Sequence, residues 1–197
     1  MTCMATFGNG WTGSKWEKDR KYNWQTPGFA QNDNHPVTCV SWDDAVAFCE
    51  WLKKVDSERA YRLPTESEWE YTCRGGATSE EECSYHFYFA KPTNDLSSKE
   101  ANFNGNFPFG KADKGPYLGR PTKVGSYAPN KVGLYDMHGN VWQWCEDLWE
   151  KGGSDRVIRG GGWASSGQRC QAAFRYGGAP TNLDINLGFR LVRVPVR

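Results

Sequence analysis

The interior of this chain has to be built from aromatic rings, because almost nothing else in the sequence could fill it. Ten Trp, nine Tyr and ten Phe stand beside 22 Gly and ten Pro, while mean hydropathy is only -0.75. Such a chain has no long aliphatic elements to stack. Each buried aromatic removes roughly 150–250 Å² from water, and Gly and Pro supply the turns between anchors. Disordered chains are poor in aromatics, so the expectation is an ordered domain with short regular elements and long fixed loops. A length of 197 residues suits one such domain.

Charge adds little. Lys and Arg number 24 against 23 Asp and Glu, which gives no general attraction to nucleic acid or to an anionic membrane. No stretch approaches the ~20 apolar residues of a membrane helix, and Met1–Gly10 lacks the basic start and apolar core of a signal peptide. Seven Cys at 3, 39, 49, 73, 83, 145 and 170 are too few for a disulfide scaffold, and no C-x-x-C pair suggests zinc.

Two helices can be placed from local signals. Ser41 is a candidate N-cap with Asp43 and Asp44 in the first turn, followed by Ala45, Phe48, Cys49 and Leu52 on one face and Lys53 and Lys54 at the far end. Thr65 and Glu68 form a capping box after Pro64, Trp69 and Cys73 lie four apart toward the core, and Gly75-Gly76 stops the helix. Tyr61–Leu63, Arg156–Arg159 and Gly188–Val194 read as short strands. Residues 77–127 read as loop, pinned by bound ions or by anchors such as Phe103, Phe107, Phe109 and Tyr117. Glu68 is used by its cap; Glu66 and Glu70 are expected on solvated helix faces, and His138 is expected to be structural.

Five phrases then occur in order: Pro36–Ala45, Tyr61–Tyr71, Val132–Trp144, Arg159–Trp163 and Asn186–Leu191. Together they resemble the formylglycine-generating-enzyme (sulfatase-modifying-factor) family over residues 34–192. The resemblance implies an α+β, loop-rich, C-type-lectin-like fold with two main helices and short antiparallel strands. It sets residues 34–197 as the family domain and 1–33 as an irregular N-terminal segment, shortened relative to the family.

The family's chemistry rests on two Cys that bind Cu(I) shortly after the R-G-G motif and oxidise a substrate cysteine with oxygen. Here Ser165 falls on the first of these positions. Cys170 falls on the second, or on a buried family position when the alignment is anchored further along. Thiolates suit Cu(I) and a hydroxyl does not, so the resemblance implies a domain without the two-thiolate copper site. The expected role is a calcium-stabilised ligand-binding or scaffold module, the alternative being an oxidase with Cys170 as its residual ligand. Implied calcium ligands are Asp136, Gly139, Val141 and Gln143, where the family often has Glu at the last position. A second set is Asn102 and Phe103 with Asp113. A groove for a peptide, protein or small-molecule ligand is expected around Trp163, Ser165, Arg169, Arg175 and Tyr176.

Overall fold

The structure, a computed structural model, describes residues 8–195 except positions 13 and 20; Cys3 and most of the opening stretch lie outside the described residues. Both expected helices form for the reasons the sequence gives. In α1 (Trp42–Val55) the Ser41 hydroxyl accepts the Asp44 N–H at 3.0 Å while the Asp44 carboxylate accepts the Ser41 N–H. In α2 (Glu66–Cys73) Thr65 and Glu68 cap each other likewise. Arg62 then forks onto the Glu68 carboxylate with two 2.6 Å bonds. Gly75 and Gly76 take positive φ values of 67° and 80° and end the helix.

The N-terminal hairpin pairs β1 (Gly8–Trp11) with β2 (Trp16–Asp19). The strand β3 (Arg59–Arg62) precedes α2, and β4 (Phe87–Tyr88) and β5 (Pro92–Thr93) form a two-residue ladder inside the long loop. The central sheet is made by β6 (Trp142–Leu148), β7 (Arg156–Arg159), β8 (Arg175–Gly178) and β9 (Leu187–Phe189), in the order β8-β7-β6-β9. Its pairs are antiparallel except β6 with β9. Finally β10 (Val192–Pro195) returns beside β3. This is the expected α+β architecture of two helices and short strands.

The core lies on both faces of β6. Trp142 and Trp144 pack with Ala45 of α1, Leu63, Ile158 and Leu187. Cys145 faces the other way, with Trp69 and Cys73 of α2, Tyr88, Met137 and Val157. The α1 face is narrower than its sequence period suggests. Ala45 and Cys49 are buried, but Phe48 is 41% exposed and rests on Trp51 and Phe189 at the rim.

Residues 77–127 are held largely by rings. Phe87 and Phe103 are sealed around Leu96 and Ala101 with Phe109 against them, and Tyr117 stacks on Trp163. Phe107 departs from expectation, being 60% exposed.

Residues 1–33 are not irregular throughout. The β1–β2 hairpin docks on residues 183–185 through Asn9, whose N–H donates to Leu183 O and whose carbonyl accepts from Ile185. Gly10 makes this possible, since a Cβ there would stand 2.1 Å from the ring of buried Tyr22. A strand that uses glycine to receive a ring shows no apolar alternation, so the pattern does not reveal it.

Glu66 and Glu70 also correct the reading as solvated side chains. Arg159 of β7 is 1% exposed and pairs with Glu70, lies 3.5 Å from Glu66, and donates to the carbonyls of Ala172, Ala173 and Phe174. Its guanidinium lies over the Trp69 ring.

Two outcomes follow from these contacts. Arg159→Met leaves the carbonyls of Ala172, Ala173 and Phe174 without this donor, while Glu70 keeps Arg74, so urea unfolding should show a loss of about 2–4 kcal/mol. Burial pushes the Asp184 carboxyl up to about 6, against the lowering effect of the Asn186 N–H. The folded state then keeps a proton that the unfolded chain releases near pH 4, and stability falls as pH rises from about 4 to about 6. Asp184→Asn should therefore stabilise by roughly 1–3 kcal/mol at pH 7.5 and by nothing at pH 3.5, read by unfolding at both values.

Candidate functional site

After β7 the chain turns through Gly160, Gly161 and Gly162 and enters a 3-10 turn at Gly167–Cys170. Gly161 has φ 73°, and a Cβ on it would meet the Cys170 sulfur at 2.5 Å. The turn thus brings Ser165 and Cys170 inward. Ser165 is buried; its hydroxyl accepts the Gly162 N–H at 3.1 Å and its carbonyl accepts the Asn104 N–H. Cys170 is fully buried against Phe87, Leu96, Ala101 and Phe103, with its thiol directed at Ser166 O, 3.6 Å away. Burial alone pushes this thiol well above its ordinary value. A neutral thiol sealed among rings lacks the thiolate character that metal binding and nucleophilic chemistry require.

A second sulfur sits nearby in the same condition. Cys73 lies 3.6 Å from His138 Nε2, a contact the sequence did not suggest. Burial pushes the thiol up to about 12 and the imidazole down to about 4. His138 Nε2 accepts the Tyr88 N–H at 2.9 Å, which leaves Nδ1 to donate to Cys170 O at 2.7 Å. Both groups are neutral near pH 7, and His138 is structural. Among the described residues no three His, Cys, Asp or Glu side chains gather as a metal site.

The five groove residues do not meet in one groove. Trp163 is fully buried under Trp16 and Tyr117, both stacked on it, with Phe29 at its edge. Ser165 is inside as well. Arg175 and Tyr176 are consecutive on β8 and so point to opposite faces. Arg175 is held by Glu66 with bonds of 2.8 and 2.7 Å and lies over Trp149, whereas Tyr176 is exposed beside Trp142. Arg169 stands exposed on the 3-10 turn. An anchored ring is too well packed here to offer a ligand surface.

The first expected calcium set lies along a sharply turned loop, with positive φ at Asp136, Gly139 and Asn140. Asp136, Asn140, Val141 and Gln143 line a cavity of about 330 Å³ together with Arg190 and Phe189. The side chain of Gln143 does not offer calcium a free oxygen. Gln143 Oε1 already accepts Trp69 Nε1–H at 2.7 Å and Arg190 Nε–H at 2.5 Å, and Asp136 Oδ2 accepts the Gly125 N–H. Arg190 and Trp69 are the partners that sequence reasoning missed; the Gly188-Phe189-Arg190 phrase was the available signal.

The second set fits in part. Asn102 Nδ2 donates to Arg120 O at 2.9 Å and to Asn140 Oδ1 at 3.2 Å. Its Oδ1 is buried without a hydrogen-bond partner among the described residues. The Phe103 ring is in the core, while Asp113 is exposed.

A fold of two capped helices around a short mixed sheet, with a glycine-rich turn feeding a buried Ser/Cys pair, defines the class, and the comparisons agree. A family model described as "Sulfatase-modifying factor enzyme 1-like domain" matches residues 3–195, a span that crosses the division expected at residue 33. The chain belongs to that family. It is 34% identical to the formylglycine-generating enzyme of Mus musculus, over 89% of this chain and 50% of that protein. It is 35% identical to the inactive C-alpha-formylglycine-generating enzyme 2 of Mus musculus, over 89% of this chain and 56% of that protein. The chain thus spans about half the length of these curated relatives. Among solved structures it is similar to PvdO from Pseudomonas aeruginosa, with TM-score 0.67, 28% identity, and coverage of 86% of this chain and 66% of that one.

The burial of the sulfurs can be checked directly. Of the described cysteines, Cys39, Cys49, Cys73, Cys145 and Cys170 are buried and Cys83 is half-buried. Brief alkylation of the folded protein should label Cys83 and leave Cys170 unmodified until denaturant is added, as read by peptide mass spectrometry.

Proposed function

We propose that this domain is a non-catalytic member of its family, acting as a ligand-binding or scaffold module. The observation that carries the reading is the pair at the glycine turn: Ser165 supplies a hydroxyl already engaged with Gly162, and Cys170 is a neutral thiol in the core. Two-thiolate Cu(I) binding needs two accessible, deprotonated sulfurs. One similar relative carries an inactive designation, which supports the same reading. The groove residues left in solvent are Arg169, Arg175 and Tyr176. Of these Arg169 and Tyr176 are the proposed contacts for a peptide, protein or small-molecule ligand, since Arg175 is engaged by Glu66.

Calcium belongs to this proposal at the second set alone. The unpartnered Asn102 Oδ1 and the main-chain oxygen of Phe103 would hold the ion. A bound cation there would satisfy a buried acceptor within the long loop.

The second reading, oxidation of a protein cysteine with oxygen, is favoured by the 34% identity to a formylglycine-generating enzyme. It requires Cys170 to leave the core and another thiolate to join it. Titration with Cu(I), followed by an aerobic assay on a cysteine-containing sulfatase-type peptide, separates the two. The expected result is no stoichiometric copper binding and no aldehyde in the mass spectrum, in wild type and in Ser165→Cys alike. Tight one-to-one binding with conversion of the peptide cysteine by wild type would overturn the non-catalytic reading.

A further inference from the structure

The loop around Asp136 has the outline of a cation site, yet the Gln143 side-chain oxygen is already engaged. Gln143 decides this. Its Oε1 faces the Trp69 indole N–H and the Arg190 guanidinium Nε–H, at 2.7 and 2.5 Å. Both are groups that only donate. The amide orientation is therefore fixed by chemistry, because the flipped form would press an NH2 against two donors. With oxygen on that side, Nε2 must turn the other way, and it donates to the main-chain oxygen of Asp136 at 2.9 Å.

We propose that Gln143 and Arg190 hold the Asp136 loop as a metal-independent junction, in which an amide N–H and a guanidinium take the place of a divalent cation. Three observations converge on it. The Gln143 side facing Asp136 presents hydrogens, where a cation would need an oxygen. The Arg190 guanidinium, whose Nη2 also donates to Tyr135 O at 3.0 Å, places a positive charge in the same cavity and repels a second cation. The Asp136 carboxylate is already engaged with the Gly125 N–H at 2.9 Å. A carboxylate at position 143 would differ in one respect. It would keep one oxygen for the two donors and turn the second toward Asp136. The junction stands whether or not an ion sits at Asn102.

Calcium binding by isothermal titration, with thermal unfolding in calcium and in chelator, tests this on the whole chain. Wild type and Asp136→Gly should bind the same number of calcium equivalents and show the same response of Tm to chelator. Gly carries no ligand oxygen and tolerates the positive φ of 55° at this position, so this comparison does not hinge on refolding a disrupted loop. Gln143→Glu should gain one equivalent and a calcium-dependent rise in Tm, and the added Asp136→Gly change should remove both. Loss of an equivalent from wild type on Asp136→Gly overturns the proposal. So does a folded Gln143→Glu protein that gains none.

Discussion

Arg159 is the interaction on which the remaining structure most depends. A loop-rich fold has few ladders, so many buried carbonyls have no strand partner, and each must find a donor. One guanidinium meets three of them in succession, at residues 172–174, while its charge is balanced by Glu70. It thereby joins α2, the central sheet and the segment that follows Cys170. The tryptophans do similar work: Trp42, Trp144 and Trp163 donate to the carbonyls of Cys145, Val40 and Ile185. The aromatic richness that opens the sequence therefore fills the interior and also supplies donors to it.

The same economy explains the candidate site. Ser165 falls where the family resemblance places chemistry, and Cys170 falls either there or on a buried family position; in the structure one holds the glycine turn and the other packs in the core. A hydroxyl held by a main-chain N–H and a thiol among phenylalanines hold the glycine turn in shape. Both groups are buried, which is the basis of the non-catalytic role proposed for the domain.

Around Asp136 the geometry of the loop is likewise kept by groups of the chain itself. Asn140 Oδ1 receives the N–H of Thr122 and the amide of Asn102, and the Gln143 amide closes onto Asp136. A site assembled from side-chain amides can be read in two ways from sequence, as metal ligands or as a hydrogen-bond network, since both use the same residue types. Only the direction of each amide separates them, and that is set by partners elsewhere in the chain.

The sequence by itself determined the features whose physics is local. The Ser41 N-cap, the Thr65–Glu68 capping box, the Gly75-Gly76 stop and the inward Trp69 and Cys73 all rest on groups within a few residues of one another, and the phrases in fixed order marked the family. Tertiary structure alone decided what depends on distant partners. Phe48 lies at the rim, against Trp51 and Phe189, while Ala45 takes the place over the sheet. Trp163 is sealed because Trp16 and Tyr117 close over it. The amide of Gln143 takes its direction from Arg190 and Trp69, which lie 47 and 74 residues away. Composition and spacing name the donors and acceptors; only the folded chain fixes which of them meet.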